Sequence, residues 1–498
     1  MASPKITLWI AALLFVGVGV GVGSAWAPHP GDRLVVVYVL AILNLCGVVT
    51  GFFINGIASR RFDVFDLSVY VQITFAVLFP LKALYVMYEG GTYLDLGQAE
   101  DVTSLTVALV YALVWLLLFY AGYFSRLPGR IAGQLPRLPA LSARKVRFWA
   151  PLLFAVGLAA SVARIYAIGG VTVALYDQGA SLGSVGLYPL SLLASFMVFA
   201  FFLSLAAGVR CSDRVLLALA IPFGVMGLGK ALFSFSKGQL LTFGIGSLVS
   251  YHWARGTRPG KLGVGVCVLA SVSAFSFFDI WRSLAFTGGR TSTETVVSDV
   301  ADRIRQGLEP GPFGSVVTLT RKREGIEALS LIVRDTEGLA YAETLRNLVI
   351  MFAPRALWPD KPVVSEGVLF GREYLGGTGM TAYTVTIPGS AYRNLHLPGI
   401  IVSGYVIGVA LATLYRYLRK SRNQETAALV YAVLFPALAY FVEVGLLDLA
   451  SGIIPLVAVA LAIIALVRGR GQPLARRMAP LLVRVSASGL RVSRAAVQ

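Results

Sequence analysis

The sequence predicts an all-α polytopic membrane protein with about twelve transmembrane helices and one large, mostly helical extracytoplasmic loop. Two observations predict this class. Hydrophobic residues make up 57% of the 498 residues and charged residues only 14%, against about 25% in soluble domains. Apolar runs of roughly 20 residues, the length that crosses a bilayer, recur along the chain. Together they exclude an ordinary water-soluble enzyme.

The predicted spans follow from windows of apolar residues that are long enough to cross the hydrocarbon layer. They are, in chain order, residues 5–27, 34–58, 66–88, 102–124, 147–168, 185–208, 213–230, 236–253, 261–281, 394–415, 425–445 and 448–467. The chain therefore divides into four parts. These are spans 1–9 in residues 1–281, the extracytoplasmic loop 282–393, spans 10–12 in residues 394–467, and a basic cytoplasmic tail in residues 468–498.

Basic residues are unevenly distributed among the loops, and this bias predicts the orientation. Every even-numbered loop is basic; the loop after span 4 carries six Arg or Lys residues between 125 and 147 and no acidic residue. The positive-inside rule places such loops, and with them both termini, in the cytoplasm. The net charge of +18 is explained mostly by these loops, so nucleic acid is not an expected partner.

Cysteine and histidine are too scarce and too scattered for a metal centre or a disulfide framework. No CxxC pair occurs among the three cysteines and three histidines, which are Cys46, Cys211, Cys267, His29, His252 and His396. We therefore expect no cofactor and a metal-independent chemistry; Mg²⁺ held by carboxylates is the alternative.

Residues 282–393 form the only long hydrophilic segment, and a loop of this size suggests function. Helices are predicted after a capping box at Thr291–Glu294, over 324–334 and over about 338–352. Prolines stiffen the stretch 354–362 and prevent regular helix there. The Gly/Thr-rich stretch 365–390 is expected to be mobile.

Cations are concentrated on the predicted outer side of the membrane. They are Arg282, Arg290, Arg321, Arg323, Arg355, Lys361 and Arg393, with Lys230 and Lys237 beside the turn between spans 7 and 8. Such a group suits an anionic lipid head group, above all a phosphate or pyrophosphate. The alternative for Arg282, Lys230 and Lys237 is a side chain that snorkels from a helix end to water.

Two groups are the main candidates for acid–base chemistry. Asp279 lies inside span 9, where a carboxylate is a candidate functional group by default; an ion pair with Arg282 is the alternative. His396 follows Tyr392 and Arg393 at the start of span 10, where a structural role is the alternative. Weaker candidates are Asp360, Glu366, Glu373, Glu443 and Asp448.

Three stretches resemble bacterial oligosaccharide repeat-unit polymerases, the O-antigen (Wzy-type) polymerase family. The run PRALWPDKP at 354–362 resembles the family's PR-x-x-WP-x-KP element. The stretch 388–399 looks like the region where an external loop re-enters the membrane, and SKGQLL at 236–241 looks like the S-R/K-x-x-L-L turn. One departure is clear: the family pattern has Phe-Gly after Asn394, where this chain has Leu395-His396.

The resemblance implies a glycosyl transfer at the outer face of the bacterial cytoplasmic membrane, from a glycan on undecaprenyl pyrophosphate to a lipid-linked repeat unit. It implies that Arg355, Arg282 and Lys237 contact pyrophosphate and that Arg323 and Arg393 assist there or hold sugar. His396 or Asp279 would be the base, and Trp358 and Tyr392 would stack on sugar faces. Arg290 and Lys361 complete the predicted substrate-binding set.

Membrane lipids, a chain-length regulator and a flippase are the expected partners besides the substrate. Two other readings stay open within the membrane class. A ligase would move a finished glycan from the same lipid donor to a different acceptor. A transporter of the major-facilitator type would also have about twelve spans. That architecture predicts two similar halves of six spans, joined by a long cytoplasmic loop after span 6, and here that loop is very short. A third hypothesis is a structural scaffold or assembly protein, which would catalyse no reaction.

Overall fold

The computed structural model describes most, but not all, of the chain. The described residues are 30–58, 63–88, 102–167, 188–233, 237–260, 325–335, 343–350, 358, 365–375, 383–439 and 441–469. Within these ranges the protein is almost entirely helical. It contains no β-strand there, and only one isolated bridge, between Leu141 and Arg468.

Sixteen α-helices are described, with a π-helical segment, Val77–Leu81, between α2 and α3 and a 3₁₀ turn, Phe441–Glu443, before α16. They are α1 (Pro30–Ala58), α2 (Leu67–Ala76), α3 (Lys82–Tyr88), α4 (Val102–Phe124), α5 (Leu127–Gln134), α6 (Ala143–Ala167), α7 (Tyr188–Ala194), α8 (Phe196–Cys211), α9 (Arg214–Phe233), α10 (Lys237–Arg255), α11 (Gly325–Arg334), α12 (Glu343–Ile350), α13 (Glu366–Leu375), α14 (Ile387–Arg419), α15 (Gln424–Ala439) and α16 (Leu446–Val467).

Eight helical segments of the described chain are long and apolar enough to cross a membrane. Such helices are typical of a membrane protein. They lie where spans 3–7 and 10–12 are predicted. Helices α1 and α10 occupy the predicted spans 2 and 8 but are not among the eight. Predicted spans 1 and 9 lie outside the described residues, so the total of twelve stays a prediction.

The longest helix, α14, packs along α4 at close range. Gly404 and Gly408 form a G-x-x-x-G pattern on the face of α14 that meets α4, the arrangement that lets membrane helices approach closely. A Cβ atom on Gly408 would lie 2.3 Å from the Phe119 carbonyl oxygen, and one on Gly404 would lie 2.8 Å from that of Trp115. Across the same interface, the Trp115 indole donates a hydrogen bond to the Ser403 hydroxyl at 3.1 Å.

Several of the basic loops meet at one end of the helix bundle, which we call the basic end. Arg147 of α6 pairs with Asp213, in the turn between α8 and α9, at 2.7 Å. Arg416 of α14 donates to the carbonyl oxygens of Tyr123 and Ser125, at the end of α4, at 2.7 and 3.1 Å. The loops after predicted spans 4, 6 and 10 therefore lie together. The membrane face that this end occupies stays a prediction from the loop charges.

At the opposite end, one helix of the predicted external loop lies inside the bundle. The predicted helix over 324–334 is observed as α11, and residues 325–332 are all buried. Lys82 of α3 and Glu327 of α11 form an ion pair at 3.0 Å, with side chains only 4% and 6% exposed. Removing one partner of a buried pair leaves an uncompensated charge, so this contact fastens the loop to the bundle.

The end of the predicted loop contains regular helix. Within the stretch 365–390, Glu366–Leu375 is helical and Ile387 already belongs to α14, while the mobility of the stretch stays a prediction. The long helix therefore begins seven residues before the predicted start at Asn394. The reason is burial: polar groups of this stretch find partners inside the protein, which local hydropathy does not reveal.

We expect Gly408→Ala to destabilise the protein by about 1–3 kcal/mol, because the new methyl group would overlap the backbone of α4. Gly452→Ala on α16 is the matched control, since no atom lies within 4 Å of a Cβ placed there. Thermal unfolding of both variants in the same detergent measures the difference. Equal unfolding temperatures would show that the α4–α14 contact is looser than described.

Candidate functional site

The candidate site is centred on a break in α14. The backbone is not helical at Leu395 (φ −138°, ψ 17°) or at His396 (φ 54°, ψ −146°). The break separates the long part of the helix, residues 397–419, from residues 387–394. We call residues 387–394 the buried segment, because all of its side chains are buried. Beyond the break, a Cβ on Gly399 would lie 2.1 Å from the Ala391 carbonyl oxygen, so the two parts lie close together.

Unusual backbone conformations flank the buried segment on both sides. His396 has the positive φ given above, and Thr386, the residue before the segment, has φ 65° and ψ 150°. Both lie in or near a region of backbone space that only glycine adopts readily, at a cost of about 1–3 kcal/mol each. Such strain persists only where the surroundings enforce it. His396 also occupies the position where the polymerase pattern has glycine.

Arg393 is the buried cation of this site. It is 2% exposed, and its guanidinium pairs with Glu373 of α13 at 2.5 Å. Its Nε atom is buried and has no hydrogen-bond partner among the described residues. Burial raises the pKa of the nearby Tyr374 hydroxyl to about 12, although Arg393 opposes the shift. The hydroxyl therefore stays protonated near neutral pH, and both groups are donors that an oxyanion can accept from.

Aromatic rings also lie beside the break. The Tyr392 ring is 5.2 Å from that of Tyr111 on α4 and 5.6 Å from the imidazole of His396, which meets it edge-on. Tyr392 is buried by these neighbours. Little of the Tyr392 ring is therefore free to stack on a sugar, which is its predicted role. The ring instead packs against the imidazole of His396.

The carboxylate of Glu366, at the start of α13, joins the buried segment to three other helices. Its oxygens accept hydrogen bonds from the hydroxyls of Thr344 (2.5 Å) and Ser390 (2.7 Å) and from the Leu447 backbone N–H (3.1 Å). A Cβ on Gly445 would lie 1.8 Å from one of these oxygens, so glycine is needed beside them. Glu366 therefore caps the N-terminus of α16, whose own cap residue has no side chain.

Asn394 completes this network from the end of the buried segment. Its side-chain oxygen accepts from the Thr344 backbone N–H at 3.0 Å. Its amide donates to the Thr344 hydroxyl and to the Ser390 carbonyl, both at 2.7 Å. Every described polar group of this network has a partner within it. We therefore interpret the network as structural: it holds the segment that carries Arg393 and leads to His396.

The structure brings together three of the residues that the sequence singled out: Tyr392, Arg393 and His396. Trp358 is described and 41% exposed, and Lys237 is the first residue of α10, although its side chain is not described. The other predicted site residues lie outside the described residues, namely Asp279, Arg282, Arg290, Arg323, Arg355 and Lys361.

Sequence reasoning missed the residues that hold the site in place. Glu366 was counted only among acid–base candidates, and Thr344 and Ser390 were not singled out. Their partners are 22 and 24 residues away or more along the chain, so no local pattern joins them. Polar residues within the stretch 386–394 were the one available signal.

Comparison with known proteins assigns no family. No protein-family model, curated protein or solved structure matches the chain. A functional assignment therefore depends on the chemistry of the residues above and on the resemblance of the stretches 236–241, 354–362 and 388–399.

We expect Thr344→Val to destabilise the protein by about 1–3 kcal/mol, because it removes a hydroxyl donor from a buried carboxylate. Thr413→Val is the matched control, because the Thr413 hydroxyl donates to the Val409 carbonyl of its own helix. Denaturation midpoints of both variants test this. A Thr344→Val midpoint no lower than that of the control would show that Glu366 does not depend on this donor.

Proposed function

We propose that this protein is a polysaccharide polymerase. It transfers a glycan from undecaprenyl pyrophosphate to a lipid-linked oligosaccharide repeat unit at the outer face of a bacterial cytoplasmic membrane. One observation supports this best. A buried arginine, with a donor that no described residue accepts from, lies beside a strained break in a membrane helix, within the stretch that resembles the polymerases.

The reaction needs little beyond charge and proton transfer. A hydroxyl of the acceptor sugar attacks the anomeric carbon of the donor, the new glycosidic bond forms, and the bond to polyprenyl pyrophosphate breaks. The leaving group carries its negative charge into a site of low polarity, where fixed cations stabilise it strongly. The hydroxyl proton passes to a basic side chain.

The proposed roles follow the resemblance and the geometry. Arg355, Arg282 and Lys237 bind pyrophosphate, and Arg393 donates from its free Nε to an oxygen of the same group or of a sugar. His396 and Asp279 are the alternative bases. A further set binds substrate: Arg290, Arg323, Trp358, Lys361 and Tyr392.

A glycan ligase is the second candidate, because it would use the same lipid donor and the same cations. The two activities differ in product. A polymerase given a single kind of lipid-linked repeat unit makes a ladder of lengths, whereas a ligase makes one product and only with a second acceptor. A transporter would make neither.

We expect purified protein in lipid to produce a ladder from the lipid-linked repeat unit, and Arg355→Ala to abolish it. Removing one fixed donor from a developing anion typically lowers the rate ~100-fold or more. The control is Arg422→Ala, a change in the exposed loop after α14 at the basic end. An unchanged ladder with Arg355→Ala would remove Arg355 from the site, and no product with wild-type protein would contradict the polymerase.

A pair of substitutions at one position separates the imidazole of His396 from its backbone. His396→Gly removes the ring and relieves the strain, whereas His396→Ala removes the ring and keeps the strain. We expect both to reduce the rate ~100-fold or more if the ring is the base, with His396→Gly the more heat-stable. A normal ladder from His396→Gly, with activity lost in His396→Ala, would assign His396 to the turn and the base to Asp279.

A further inference from the structure

Two further cations, besides Arg393, lie at the end of the bundle opposite the basic end. They are on α6 and α9. Lys230 is in the last turn of α9, and its ammonium donates to the Ala194 carbonyl oxygen, where α7 ends, at 3.1 Å. A snorkelling lysine would extend its ammonium to water. This side chain is instead part-buried and turned towards the backbone of a neighbouring helix.

Arg164 is in the last turn of α6, which packs against α7 and against α9, the helix of Lys230. Its charge acts on the Lys230 ammonium. Its Nε atom is buried and has no hydrogen-bond partner among the described residues. No carboxylate of the described chain pairs with Arg164 or with Lys230. Two part-buried cations whose charges act on each other repel, and an anion bound between them would lower this electrostatic free energy.

The two cations lie at the same depth. Arg164 and Lys230 each follow the Arg147–Asp213 ion pair of the basic end by 17 residues along their own helices. At ~1.5 Å per residue this is a rise of about 25 Å, close to the ~30 Å thickness of a hydrocarbon layer. The pair therefore lies near the level where lipid head groups begin.

Exposed apolar residues occur on the last turns of the two helices that carry the cations. On α6, Val162 is exposed and Tyr166 is 85% exposed; on α9, Val225 and Leu228 are exposed. In a membrane, such surfaces face lipid tails. A lipid chain can therefore lie along these turns of α6 and α9 with its head group at the depth of the two cations.

We propose that Lys230 and Arg164 form a binding site for the phosphate or pyrophosphate head group of a membrane lipid, separate from the Arg393 site. Phosphate oxygens accept from both the ammonium and the guanidinium, and the lipid chain stays against α6 and α9. The proposal does not depend on polymerase activity. Two lipids share this chemistry: a polyprenyl phosphate and an anionic phospholipid.

The test is lipid binding by the full-length protein, measured by native mass spectrometry with undecaprenyl phosphate, phosphatidylglycerol or zwitterionic phosphatidylcholine. The expected result is retention of an anionic lipid by the wild type. Lys230→Gln and Arg164→Gln should each weaken its affinity ~10-fold or more, because each removes a charge-assisted hydrogen bond. Lys420→Gln, at the exposed basic end, is the matched control and should leave the affinity unchanged.

Stability measurements separate a binding role from a structural one. A lipid that binds only the folded protein raises the unfolding temperature. This increase should disappear in Lys230→Gln and persist in Lys230→Arg, which keeps the charge. Tighter binding of undecaprenyl phosphate or of phosphatidylglycerol than of phosphatidylcholine supports the site, and the lipid that binds tighter identifies the ligand. Unchanged affinity in both Gln variants overturns the proposal, as does equal retention of phosphatidylcholine.

Discussion

The carboxylate of Glu366 is the constraint on which the described part of the candidate site depends. A buried carboxylate can only accept hydrogen bonds, so it is stable only where donors are brought to it. Here the donors come from α12, α14 and the first turn of α16. None of these elements can shift alone without leaving a buried charge unsatisfied. The strained backbone at Thr386 and at His396 lies on either side of the buried segment that this network holds.

Buried charges in this protein are compensated to different degrees, and the differences separate structure from function. The Lys82–Glu327 pair is internal and almost inaccessible. Arg393 is only partly used, since one donor has no described partner. Arg164 and Lys230 lack any described carboxylate. We therefore assign the Lys82–Glu327 pair to the fold and look for a bound anion at the cations without a described carboxylate.

The sequence predicted the helical membrane class and most of the helix positions, because hydropathy and helical periodicity are local properties. The helix at 324–334 is observed as Gly325–Arg334, and the stretch that resembles a re-entering loop holds the break in α14. The burial of α11 was not predictable, since Glu327 finds its partner 245 residues earlier in the chain. Arg164 escaped notice for a similar reason: its significance comes from Lys230 on another helix.

The Lys82–Glu327 contact has a consequence for work with fragments. A soluble version of the hydrophilic segment 282–393 would carry α11 with its apolar face uncovered and Glu327 separated from Lys82. The membrane part expressed alone would carry the complementary defect, a cation in the apolar interior. The segment is therefore part of the bundle in a thermodynamic sense. Antibodies or ligands selected against the isolated segment would meet surfaces that the intact protein keeps covered.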